Sequence, residues 1–179
     1  MRLALGLPAV LAAMVVAGCA PQRIEDLLVS CPTLALPADV ADLSRYTPGT
    51  PPDLSTLILD ARVVAVDANC RRGRRDQSID ATLSLRFQMD RGPAASSRSF
   101  ELPWFIAVLD ARTDDVVSRQ TFTLPAQFGA NTTRSSISTQ PVDVSFPTGN
   151  GKRAQDYRIL VGFLLTPDEV AMNRRRGPR

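Results

Sequence analysis

Histidine is absent from the 179 residues of this chain. That excludes Ser-His-Asp and Cys-His catalysis. It also removes the commonest metal ligand and the usual general acid or base near neutral pH. What is left for chemistry is three cysteines, at positions 19, 31 and 70, two dense arginine clusters and scattered carboxylates. The cysteines show no C-x-x-C spacing, and no histidine is present to lower a thiol pKa. Arg71, Arg72, Arg74 and Arg75 put four guanidiniums into five residues, and Arg174, Arg175 and Arg176 form a second cluster. Guanidinium forks grip phosphates and carboxylates at two points, so these seven are the candidate anion-binding residues. The plainer reading of the first cluster is a solvated loop, and of the second a solvated tail. Asp110, Asp114 and Asp115 gather carboxylates as a calcium site would, and equally as a polar hairpin tip does. A hydrolase built only from carboxylates would need a sheltered pair about 5–10 Å apart, and the sequence displays none. It has no Gly-rich phosphate loop, nucleophile elbow or metal-ligand spacing either. The expectation is a protein without catalytic residues, metal or cofactor.

The first cysteine closes an apolar run, "LALGLPAVLAAMVVAGCA". Leu3 to Gly18 is 16 residues without a charge, roughly 24 Å as a helix. A bilayer core is about 30 Å thick and asks for ~20 residues. The run is short for a span and suits the apolar segment of a signal peptide, with Arg2 as its minimal positive start. Val16-Ala17-Gly18-Cys19 then resembles the lipobox of bacterial lipoproteins. The resemblance implies cleavage before Cys19, whose thiol would carry the lipid. Acyl chains would hold the protein tightly, each buried CH₂ adding about 0.8 kcal/mol. Ala20, where an aspartate favours inner-membrane retention, implies the periplasmic face of the outer membrane, with the inner membrane as the alternative.

If Cys19 belongs to the anchor, Cys31 and Cys70 remain as an even pair in an exported chain, and a disulfide between them is the default in an oxidising compartment. Its loop of 39 residues is worth roughly 4 kcal/mol on the chain-entropy model. The net charge of +3 is too small to predict a nucleic-acid partner.

The elements that must carry these residues are strands. Leu34 to Leu36 is a short first strand, and "ADVADLSRYTPGTPPDL" reads as an ordered polar loop with one helical turn. Leu57 to Asp67 is apolar on both faces. From Ile79 to Asp90 the side chains alternate strictly, apolar at odd and polar at even positions, the signature of a half-buried strand. Phe100, Leu102, Trp104, Ile106 and Val108 form another inward row, and Val116 to Leu124 returns as its hairpin partner. Ser135 to Phe146 is one strand interrupted at Pro141. Tyr157 to Leu165 is central. These are seven strands, and the pattern predicts an all-β, antiparallel, immunoglobulin-like or fibronectin-like sandwich, with an open barrel as the alternative. Cys31 and Cys70 would then join the first strand to the end of the second rather than form the usual bond between sheets. Thr166-Pro167-Asp168-Glu169 is a capping box that opens a short helix from Pro167 to about Arg175. The organisation expected is a signal peptide over 1–18, a lipidated tether over 19–28, the sandwich over 29–166, and a helix with an arginine tail over 167–179. That tail has little apolar surface to contribute.

Five segments, "CPTLALPADVADLSRY", "DLSTLILDARV", "RGPAA", "LPWFIAVLDA" and "LLTPDEVAMNRRR", also make the mature chain similar to small envelope lipoproteins of Gram-negative bacteria. This resemblance implies location and fold, with no activity to carry over. The functional expectation is a non-catalytic lipoprotein, held in the membrane by its lipid, that binds or assembles with an envelope protein or polymer. The alternatives are a binder of anionic glycan or lipid through the arginine loops and a carboxylate-based hydrolase.

Overall fold

The computed structural model describes residues 29–73, 77–148 and 151–179. The expected signal peptide and tether, Cys19 included, lie outside the described residues, as do Arg74 and Arg75. Among the described residues no helix is long and apolar enough to cross a membrane.

Alternating patterns become strands where predicted. Ile79, Ala81, Leu83, Leu85, Phe87 and Met89 all point inward from β4 (Ser78–Arg91) and are almost fully buried. Leu102, Trp104, Ile106 and Val108 do the same from β5 (Ser99–Asp110). Two sheets face each other across these rows. One has the order β1-β9-β5-β6, with β1 at Thr33–Ala35, β6 at Val116–Gln127 and β9 at Tyr157–Phe163. The other runs β2 (Asp42–Tyr46), β3 (Leu57–Arg72), β4, β7 (Arg134–Ser138), with β8 (Val142–Pro147) also paired to β4. The sheets stay open, so the fold is a sandwich and not a barrel. Phe87 ties the layers together, its ring 5.1 Å from Phe163 and 6.5 Å from Trp104. Trp104 in turn stacks on Phe122 at 4.4 Å, a core position as its inward register requires. Aromatic pairs of this kind add about 0.5–1.5 kcal/mol beyond the area they bury.

Among the described residues the strand count is nine rather than seven. The "ADVADLSRY" loop contains both a helical turn, α1 (Ala38–Ala41), and strand β2. The segment expected as one strand over Ser135 to Phe146 is two: at Thr139 the side-chain hydroxyl accepts from the Leu85 N–H, and Pro141 has no N–H to donate. The first strand also departs from an all-antiparallel scheme: β1 pairs with β9 in parallel.

The Cys31–Cys70 disulfide is formed, with Cα atoms 5.3 Å apart. It ties the first strand to the end of the strand begun at Leu57, as expected, but it is also a bond between sheets. Cys31 leads into β1 of one sheet and Cys70 lies on β3 of the other, so the bond joins the layers. At the same end, the Tyr157 hydroxyl donates to the Pro147 carbonyl at 2.6 Å and pins the last crossover.

The C-terminal helix α2 (Pro167–Arg176) opens with the predicted capping box. The Thr166 hydroxyl accepts from the Glu169 N–H at 3.3 Å, and the Glu169 carboxylate accepts from the Thr166 N–H at 2.8 Å. The tail that follows is not a solvated appendage. Asn173 is 4% exposed, and its amide donates to the Asp39 and Asp42 carbonyls at 2.9 and 2.8 Å. The helix therefore lies against α1 and β2. Gly162 permits the packing of α1 on β9: a Cβ there would sit 2.4 Å from Val40 Cγ2.

Candidate functional site

Because Leu59, Ala61 and Val63 turn into the core, Asp60 and Arg62 must face outward from β3. Strand register extends this into a lattice. Ser44, Asp60, Asp90 and Arg134 form one cross-strand row, and Asp42, Arg62, Gln88 and Ser136 form the next. Asp60 directly opposite Asp90 is a like-charge pair, which is destabilising unless compensated. Two arginines compensate it. Arg134 clasps Asp90 with Nε and one amino group at 2.7 and 3.4 Å. Arg179 clasps Asp60 at 2.8 and 2.9 Å, and the Ser44 hydroxyl donates to the same carboxylate at 2.6 Å.

Asp42 is the buried centre, at 3% exposure. Its carboxylate meets Arg62 at 2.8 Å, Arg176 at 3.1 Å and Arg179 at 3.1 Å. A buried carboxylate needs such partners, because an uncompensated one costs several kcal/mol. Arg176 also donates to Ser44 at 3.0 Å and to Asn173 at 2.9 Å. Burial pushes the Asp60 carboxyl upward, but the hydrogen bonds from Arg179 and Ser44 and the charges of Arg179 and Arg176 outweigh it, and the group sits below its ordinary value. A carboxylate hydrolase needs a general acid raised toward neutrality, and Asp60 is shifted the other way. Asp60, Arg62, Val64, Gln88, Asp90, Arg134 and Arg179 enclose a pocket of about 240 Å³ on this face.

The sequence-predicted residues are dispersed around the molecule. Arg71 stands 3.8 Å from Asp80 and is mostly exposed. Arg72 lines a separate pocket of about 260 Å³ with Val29, Ser30, Lys152 and Arg153, at the end where the tether would join. Arg174 pairs with Asp39 at 2.7 Å in the open, a contact of small worth. Arg175 borders a groove of about 720 Å³ between α2 and the loop after β2. Arg176 is committed to Asp42. The structure therefore does not gather Arg174, Arg175 and Arg176 into one anion site. The Asp110–Asp115 carboxylates form a hairpin tip: Asp110 accepts from Lys152 at 2.9 Å and Asp114 pairs with Arg158. The Lys152 hydrogen bond, with the N–H groups of Arg112 and Thr113, holds the Asp110 carboxyl at about 2. Among the described residues no group of three or more Cys, Asp or Glu side chains is placed to hold a metal ion.

Sequence reasoning missed the lattice. Part of its signal was present, since Asp60 and Arg62 alternate with Leu59, Ala61 and Val63 in "LILDARV". The rest depends on β2, whose residues read as loop in sequence, and on contacts spanning more than a hundred residues. Compared with protein-family models, with curated proteins and with solved structures, the chain matches none.

Proposed function

We propose that the protein is a non-catalytic lipoprotein of a Gram-negative cell envelope. Its lipidated Cys19 holds the sandwich on the periplasmic face of the outer membrane, where it serves as a binding or assembly module. The observation that carries this reading is the Cys31–Cys70 bond. A disulfide that joins the two layers belongs to an oxidising compartment, and it begins only twelve residues after the cysteine of the lipobox-like Val16-Ala17-Gly18-Cys19. Residues 19–28 would be a tether of at most about 35 Å, leading to the end of the sandwich where Val29 and Ser30 lie beside Arg72 and Lys152. The absence of histidine and the arginine-paired state of Asp60 support a binding role over a hydrolytic one.

The test is fractionation of cells making the full chain. Inner and outer membranes are separated by density, and protease is added to intact and to permeabilised cells. The proposal expects the protein in the outer-membrane fraction, protected until the outer membrane is breached. Recovery in the soluble periplasm, or cleavage in intact cells, would overturn it.

A further inference from the structure

The lattice on the second sheet has more hydrogen-bond donors than its own carboxylates consume. Arg62 gives Nε to Asp42 at 2.8 Å, and its two terminal amino groups make no hydrogen bond among the described residues. Arg134 gives Nε and one amino group to Asp90, leaving the other. Gln88 lies between them in register, opposite Arg62 on β3 and next to the Asp90–Arg134 row. Its side-chain amide also makes no hydrogen bond among the described residues. These groups line one pocket with Val64, which a bulge in β3 leaves 46% exposed.

Charge and size narrow the ligand. Arg62, Arg134 and Arg179 line the pocket with Asp60 and Asp90, and with Arg176 and Asp42 beside them four arginines meet three aspartates, a surplus of one positive charge. A monoanion balances that surplus. A phosphate monoester, carrying about −1.5 to −2 at neutral pH, would leave negative charge facing Asp60 and Asp90. The volume of about 240 Å³ falls below the ~300–1,000 Å³ of sites that engulf a whole small molecule. It fits an acid group, with the rest of the ligand lying along the sheet. The terminal N–H groups of a guanidinium match the two oxygens of a carboxylate.

We propose that the pocket bounded by Arg62, Gln88 and Arg134 is a binding site for a free carboxylate, held by the open edge of Arg62 and the Gln88 amide, with an alkyl group against Val64. The site lies within the sandwich and does not depend on the anchor, so it can fail while the envelope reading stands, and the reverse.

The probes are N-acetylalanine and its uncharged amide, titrated separately into the ¹⁵N-labelled full chain with its disulfide formed and followed by NMR. N-acetylalanine is expected to shift the Arg62 and Arg134 side-chain and Gln88 amide signals saturably, and the amide form is not. Because Arg62→Gln would also disturb Asp42, the decisive variant is Gln88→Glu. It touches none of the ion pairs but places a like charge in the pocket, and it should weaken binding roughly tenfold or more with an unchanged melting curve. Arg119→Gln, on the other sheet, should bind as the unmodified chain does. Equal shifts from acid and amide, unchanged binding by folded Gln88→Glu, or tighter binding of inorganic phosphate than of N-acetylalanine at the same signals would each overturn the proposal.

Discussion

Asp60 and Asp110 are both held below the usual carboxylate range, by different neighbours. Asp60 is partly shielded, and its state depends on Arg179 and Ser44. Asp110 sits half-buried at the base of the hairpin tip and depends on Lys152 and two backbone N–H groups. A depressed carboxyl stabilises the fold above its unfolded pKa, and that contribution is lost as pH falls through the folded value. For Asp110 the window runs from its ordinary 3.8 down to about 2. Lys152→Met should therefore melt below the unmodified protein by a constant amount above about pH 4, and the two melting temperatures should converge toward pH 2. A gap that persists at pH 2 would assign the loss to the Lys152 ammonium over the Tyr157 ring, 5.4 Å from its centroid. Much at this scale was legible: Trp104 and the inward rows followed from period-two alternation. The buried state of Asp42 was not legible, because it is created by Arg176 and Arg179, which lie more than 130 residues along the chain.

The C-terminal helix shows what local and long-range information each decide. Its start was written in four residues, and Thr166→Ala should cost about 1 kcal/mol, the usual size for a lost cap. Its destination was not, because mutual docking of α1, β2 and α2 is visible only in three dimensions. Asn173 is the test of that docking. Asn173→Ala strips the buried Asp42 carbonyl and the half-buried Asp39 carbonyl of their donor and should cost about 1–3 kcal/mol, a fall of roughly 2–12 °C in melting temperature for a chain of this size. The loss of the whole tail from Asn173 onward should destabilise more than Thr166→Ala does, against the sequence expectation of a dispensable tail. Gly162→Ala probes the other side of the docking. Its added methyl collides with Val40, so it should lower the melting temperature, and Val40→Ala should recover part of the loss. An additive double variant would show that α1 yields without strain. β2 itself escaped sequence reading because five residues, with Asp42 and Ser44 on one side, do not look like a strand with a buried face.

For the whole molecule, a covalent bond joins the two layers at one end, and the helix and tail that follow β9 of one sheet are fastened to β2 and β3 of the other by ion pairs. The disulfide closes 39 residues and should be worth roughly 4 kcal/mol. Reduction or Cys70→Ser should lower the denaturation midpoint accordingly, while Cys31 and Cys70 in freshly isolated protein resist alkylation until reduced. The sandwich class was legible from strand spacing and turn residues, and Pro141 marked the break between β7 and β8, whereas the parallel β1–β9 pair arises from a pairing choice that alternation does not encode. The central claim concerns Cys19, because the proposed place of the protein in the envelope depends on it. Cells making the unmodified chain or Cys19→Ala are fed labelled palmitate, and the protein is isolated and tested for label. Label is expected on the unmodified chain and none on Cys19→Ala, which should remain as uncleaved precursor or leave the membrane fraction. Equal labelling of the two, or none on either, would contradict it.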